Sequence, residues 1–256
     1  RSDILYKIAD ILESRLDEFI LAESKDQGKN LKTAKNLDIP RAIHNFRFFA
    51  GAILHDKNQS TNFNNIALNY TTKKPIGIVG LISPWNLPLY LLSWKIAPAL
   101  ACGNVVICKP SEFTSMTAYL LCEVLNQAGL PKGVCNILFG LGSKVGEAIV
   151  SHPEIKAISF TGGTKTGQKV IISSAPYFKK LSLELGGKNP NIIFEDANFS
   201  ECIATTVRSS FLNQGEICLC GSRIFVQESI YHEFLEAFVR ETKKLKVGNP
   251  YLEETD

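Results

Sequence analysis

Apolar side chains recur at three- and four-residue intervals through Leu5, Ile8, Ile11, Leu12, Leu16, Phe19 and Ile20. This spacing predicts an amphipathic helix over residues 2–22, with Ser2 placed to cap it. A second helix is expected after Pro40. It would bury Ile43, Phe46, Phe49, Ala50 and Ile53, leaving Arg41 in its first turn and Arg47 one face over. From His55 to Asn65 the chain is polar and rich in Asn, which reads as a loop, and Ile66, Leu68 and Tyr70 then alternate as in a strand on a separate element.

Beyond Pro75 short β-branched runs alternate with longer helical stretches. Strands are expected at residues 76–82, 105–108, 134–139, 157–160 and 181–185, and helices near 89–101, 116–128, 144–151 and 165–173. This alternation is the signature of a doubly wound, Rossmann-like α/β unit with helices on both faces of a parallel sheet. A second α/β succession starts after Gly187, with strands near 192–194 and 224–226, so a domain boundary is placed at Gly186-Gly187. Ligands of such sheets bind at the carboxyl ends of the strands. The informative residues are therefore those that end each apolar run.

Composition narrows the class of molecule. The 256 residues are 45% hydrophobic and 21% charged, as in a globular chain, and the net charge of +3 singles out neither nucleic acid nor an anionic membrane as a partner. The most apolar stretch, Leu81 to Trp94, contains prolines and falls short of the roughly 18 residues that a bilayer span needs. The opening Arg1-Ser2-Asp3 carries no secretory signal, and the chain is expected to begin inside a longer protein. Seven cysteines scattered through apolar segments suit buried free thiols in a reducing, cytosolic compartment.

Several strand ends carry candidate chemistry. Gly140, Gly142 and Gly146 resemble a dinucleotide fingerprint whose last interval is one residue too long, and Gly162, Gly163 and Gly167 form a second cluster between a strand and a helix. Ordinary turn glycines remain the alternative for each. Lys109 and Glu112 end an otherwise apolar strand. They suit ribose hydroxyls, with the carboxylate repelling a 2′-phosphate, unless Ser111 simply caps the next helix and the charges are solvated. Glu184, between apolar neighbours and beside glycines, is expected in a partly desolvated cleft, where a carboxyl approaches the range of a general base. Cys218 and Cys220 are a Cys-x-Cys pair with no second pair and no suitably spaced His, which is poor zinc chemistry, so no metal site is expected. A thiol on that glycine-flanked loop suits a nucleophile, or else buried filler.

Taken in order, Pro84-Trp85-Asn86, Lys109-Pro110-Ser111-Glu112, Phe160-Thr161-Gly162-Gly163, Leu183-Glu184-Leu185-Gly186-Gly187-Lys188 and the run Asn213 to Arg223 resemble the signature blocks of the NAD(P)-dependent aldehyde dehydrogenases. The resemblance runs end to end, with one departure at Gly163, where many members carry Ser. It implies that Cys218 is the nucleophile, that the Asn86 amide and the Cys218 N–H hold the oxyanion, and that Glu184 activates the hydrolytic water. NAD is the implied cofactor. Its cleft would be formed by Ile82, Ser83, Trp85, Lys109, Ser111, Glu112, Gly142, Gly146, Phe160, Thr161, Gly162, Gly163, Thr166, Gly167, Glu184, Leu185 and Gly186. Leu91 and Trp94 would line the tunnel for a small-molecule aldehyde, and Arg41 would bind a carboxylate on an acidic semialdehyde. Same-family chemistry on apolar aldehydes, or a catalytically silent relative, are the competing readings. The resemblance also divides the chain into a coenzyme domain (1–56 and 76–186), an oligomerisation segment (57–75) and the start of a catalytic domain (187–256, incomplete). The full-length protein is expected to be a homo-oligomer, dimeric or tetrameric.

Overall fold

The computed structural model describes all 256 residues. Its centre is a five-stranded parallel sheet built from β3 (Ile78–Ile82), β4 (Val105–Lys109), β5 (Cys135–Ile137), β6 (Ile155–Gly162) and β7 (Lys180–Leu185), in the spatial order β5-β4-β3-β6-β7. Successive strands run outward from β3 to β5, and the chain then returns to the other side of β3 to lay down β6 and β7. The order reverses between β3 and β6, which is where doubly wound sheets bind their ligands. The expected α/β class and strand sequence are thus found.

The helices Ser2–Ser14, Leu16–Gln27, Ile39–Ala52, Pro88–Ala101 and Met116–Gln127 cover one face, and a cluster of 27 buried apolar residues joins them to β3 and β4. The other face is closed by the short helix Glu147–Ser151 and by Thr164–Ser174, over Ile82, Ile149, Val150, Ile155, Ile158, Phe160 and Val170. Two strands stand apart as an antiparallel hairpin, β1 (Ser60–Phe63) and β2 (Ala67–Tyr70), exposed along both strands. After Gly187, β8 (Pro190–Ile193) and β9 (Arg223–Val226) pair in parallel, with helices Phe199–Phe211 and Tyr231–Thr242 packed on them.

Several sequence expectations are corrected. The first helix is not continuous over 2–22; it breaks at Arg15, whose φ and ψ are −109° and 23°. Ser2 does not cap it, because its hydroxyl donates to Ala50 O at 2.7 Å and so ties two helices together. Arg47 is held by Asp10 and Glu13. The polar stretch 55–65, expected as loop, contains β1, whose backbone pairs with β2 although its side chains are exposed. Strand 76–82 starts at Ile78 because Gly77 has a φ of 116°, outside the β region. Strand 134–139 shortens to β5. The helix expected from Lys144 is a π-helical turn at Gly142–Gly146 that leads into Glu147–Ser151.

Candidate active site

The carboxyl ends of β3, β4 and β6 are aligned, since the sheet register places Ile82 beside both Lys109 and Phe160. Continuing across the sheet, Thr161 lies opposite Glu184 and Gly162 opposite Leu185. Residues that the sequence scatters over a hundred positions therefore share one rim. Ser83, just beyond β3, is buried with its Oγ unpaired by any protein group.

At the β4 end, Lys109 is buried and its ammonium donates to Glu112 Oε2 at 2.8 Å and to Pro110 O at 2.9 Å. That ammonium holds the Glu112 carboxyl below the usual carboxylate range. The second Glu112 oxygen accepts the Gly142 N–H at 3.4 Å, which ties the β4 end to the glycine turn. Ser111 does not cap the following helix, since its Oγ accepts from Phe113 N within the turn and Asp26 Oδ2 takes the Met116 N–H. At Gly146 a Cβ would meet only Lys109 Cδ, at 3.7 Å, and at Gly163 it would meet nothing within 4 Å. Gly163 is also the N-cap of the Thr164–Ser174 helix, whose first N–H groups have no side-chain cap. Thr166 is exposed and Gly167 packs on Leu185.

Asn86 lies in the turn between β3 and the Pro88–Ala101 helix. Its Nδ2 donates to Glu216 O at 2.6 Å, two residues before Cys218. An amide nitrogen has two N–H groups, so one remains for a ligand. Asn189 donates to Cys218 O at 2.5 Å, which fixes the loop from the second unit. The structure thus joins Asn86 to the Cys218 loop. Cys218 itself is exposed, as is Cys102, so the expectation of uniformly buried thiols fails, while Cys108 and Cys220 are buried and all seven are free.

Glu184 differs from expectation as well: it stands exposed at the end of the edge strand β7, with no enclosing cleft formed by these residues. What accompanies it is Lys95, a residue that sequence reasoning missed. Lys95 is buried on the Pro88–Ala101 helix and donates to Ser159 Oγ at 2.8 Å. Burial pushes its pKa down to about 8, against the pull of Glu184, which favours the charged form. Arg41 lies over the rings of Tyr90 and Trp94, 5.6 and 5.8 Å from their centroids, and is exposed. Leu91, half-buried, shares the helix that carries both rings. No group of His, Cys, Asp and Glu is arranged to hold a metal ion.

A doubly wound sheet, a glycine turn tied to Glu112 and through it to the buried Lys109 at the strand ends, and an exposed thiol on a loop held by a side-chain amide are the features of a dinucleotide-dependent enzyme unit. The chain belongs to the aldehyde dehydrogenase family, whose sequence pattern it matches over residues 1–256. It is 62% identical over 251 residues to the 2-aminomuconic semialdehyde dehydrogenases of Bos taurus and Homo sapiens, covering 98% of this chain and 52% of theirs. A 2-aminomuconic 6-semialdehyde dehydrogenase from Pseudomonas is 47% identical over 261 residues, covering 100% of this chain and 53% of the relative. An aldehyde dehydrogenase from Bacillus cereus, solved as an NAD+ complex, superimposes with a TM-score of 0.98 at 38% identity, over 100% of this chain and 52% of that one. The chain spans about half the length of the curated relatives it matches.

Proposed function

We propose that this chain supplies the coenzyme-binding unit and the nucleophile of an NAD-dependent aldehyde dehydrogenase that converts an acidic semialdehyde, of the 2-aminomuconic kind, to its carboxylic acid. The observation that carries this reading is the Asn86 amide tied to the loop of Cys218 beside the reversal point of the sheet. The cofactor fits the residues present. Lys109 and Glu112 offer a donor and an acceptor for ribose hydroxyls. Gly142, Gly146 and Gly163 leave room at backbone N–H groups for a pyrophosphate, while Gly162 and Gly167 let the loop that also carries Thr166 pack closely on Phe160 and Leu185. Ile82, the unpaired Ser83 hydroxyl, Trp85, Ser111, Phe160, Thr161, Leu185 and Gly186 complete the walls.

The Cys218 sulfur, as the thiolate after its proton has passed to solvent, attacks the aldehyde carbon; the C–S bond forms, the C=O π bond breaks and the negative charge moves to the former carbonyl oxygen. The free Asn86 N–H and the Cys218 backbone N–H receive that charge; removing one such donor costs roughly a hundred- to a thousand-fold in rate. NAD, when bound, supplies the acceptor for the hydride that leaves this carbon. Glu184 then takes a proton from water as the water oxygen attacks the Cys218 thioester, and the thiolate leaves. Arg41, over two aromatic rings and without an ion pair in the chain, offers its guanidinium to the distal carboxylate of the substrate. Residues 1–56 and 76–186 form the coenzyme domain, 187–256 open the catalytic domain, and the exposed hairpin within 57–75 joins copies in a dimeric or tetrameric homo-oligomer. Seven free cysteines accord with a cytosolic location.

The test is NADH formation by the full-length polypeptide containing these residues, with 2-hydroxymuconic semialdehyde against a neutral aldehyde, for wild type and Arg41→Ala. The expected result is a selective loss on the acidic substrate. Equal rates would leave the aldehyde chemistry standing and remove Arg41 from the substrate site.

A further inference from the structure

The backbone carbonyl of Asn86 accepts two hydrogen bonds from outside its own turn, from Lys29 Nζ at 3.2 Å and from Asn213 Nδ2 at 3.0 Å. Both donors are buried, and they reach this oxygen from distant parts of the chain. Lys29 follows the Leu16–Gln27 helix, and Asn213 lies between the Phe199–Phe211 helix and Cys218. Filling space alone does not call for an ammonium at Lys29, which is among the largest fully buried side chains. An aliphatic side chain would pack where Lys29 lies without the desolvation of an ammonium, and lysine is almost never fully buried unless paired. Here it is paired with Asp38, with Glu23 at 4.0 Å, and its remaining reach goes to Asn86 O. Asn213 and Gln214 adopt left-handed φ values of 53° and 61°, a region that asparagine tolerates better than most side-chain-bearing residues, and in that conformation Asn213 delivers its amide.

A carbonyl oxygen has two lone pairs, and this one uses both. Holding it fixes the peptide plane after Asn86, and with it the direction in which the Asn86 side chain leaves the backbone. That side chain already spends one N–H on Glu216 O, so the aim of the other depends on the turn staying in place. We infer that Lys29 and Asn213 are positioning residues that clamp the Asn86 carbonyl and so set where the Asn86 amide stands relative to the Cys218 loop. The inference rests on the proposed function in assigning that amide to the oxyanion.

The test uses the full-length polypeptide and two variants, Asn213→Ala and the pair Lys29→Met with Asp38→Asn, which removes the ammonium together with its partner's charge. Glu23, the second carboxyl near Lys29, stays in the paired variant, and each variant is expected to slow the first-turnover burst of NADH about ten- to a hundred-fold, as small misplacements do. The KM for NAD and the rate of Cys218 alkylation by iodoacetamide should stay at wild-type values. In an Asn86→Ala background the same substitutions should cost almost nothing more, because the group they aim is gone. Full additivity in that background, or an unchanged burst, would overturn the clamp. If the Lys29 pair fails to fold, Asn213→Ala decides. Amide hydrogen exchange gives a readout free of catalysis: faster exchange over residues 84–91, with 105–109 unchanged, is expected in both variants. If wild type oxidises no aldehyde, the functional reading fails while exchange still judges the clamp, and unchanged exchange over 84–91 would sink it.

Discussion

Lys95 is the residue whose charge the fold holds most openly to test. Burial brings its pKa to about 8, against 10.5 for the free side chain. Between those values the unfolded chain keeps a proton that the folded chain has released, so stability contributed at this position rises with pH across the window and is flat below it. Lys29, also pushed to about 8 by burial, titrates in the same range, so the effect must be read as a difference. Relative to Lys95→Met, the melting temperature of wild type should climb from pH 8 to about 10.5, measured by calorimetry. A difference that is flat or falls over that range would show that Lys95 is not desolvated. At this scale Lys109, Glu112, Glu184 and Cys218 were legible as candidates because each lies at a strand end or in a glycine-flanked run, whereas the role of Asn86 came only from the family resemblance. The contacts of Lys95, Lys29 and Asn213 were not legible, although Lys29 and Asn213 lie in runs that carry the family resemblance. A lysine that closes an apolar run, as Lys95 does, or follows a polar one, as Lys29 does, reads as solvated, and only the packed structure shows the ammonium turned inward to Ser159 or to Asn86 O.

Among the elements, β3 is the one with least room to change. A Cβ on Gly80 would lie 2.5 Å from Ile149 Cγ2 and 2.7 Å from Ile158 Cδ1, and both isoleucines are buried. Glycine is therefore required there by close approach of the covering helix rather than by a turn. Gly80→Ala should destabilise the coenzyme unit by about 1–3 kcal/mol through overpacking. Urea unfolding would show it as a lower midpoint with an unchanged slope; an unchanged midpoint would mean that Ile149 moves aside freely. The type and order of the elements were readable because hydrophobic period separates strand from helix so cleanly in this sheet. Their ends and irregularities were not. The apolar spacing continues through Arg15, where Leu16 and Phe19 keep the helical interval although the backbone bends. The π-helical turn at Gly142–Gly146, which takes in one residue more than an α-turn closes, spans the same residues as the glycine interval one residue longer than the dinucleotide fingerprint. A 3.6-residue period has no means of announcing that insertion.

Across the whole molecule, burial is unequal. The face covered by the first helices holds 27 buried apolar residues, whereas the unit after Gly187 centres on Ile193, Ile203, Phe234 and Ala237. Ile192 and Phe225 on its two strands and Phe194 just beyond β8 are exposed, and the β1–β2 hairpin exposes Phe63, Ile66, Leu68 and Tyr70. The boundary between the units was legible from the restart of the strand-helix pattern. The exposed apolar surface of the second unit was legible too, since a catalytic domain read as incomplete is expected to leave sheet edges and apolar side chains uncovered; which side chains these are only the packed strands show. A two-stranded pair with so small a core has little independent stability. These 256 residues expressed alone should therefore unfold in two steps, with residues 187–256 losing protection first and the five-stranded unit persisting. Limited proteolysis followed by mass spectrometry checks it, the expected product being a resistant core that ends near Gly187. Cleavage spread evenly over both units would show instead that the Asn86, Asn213 and Glu216 contacts bind them into one cooperative body. The small unit would then draw its stability from the very contacts that assemble the candidate active site.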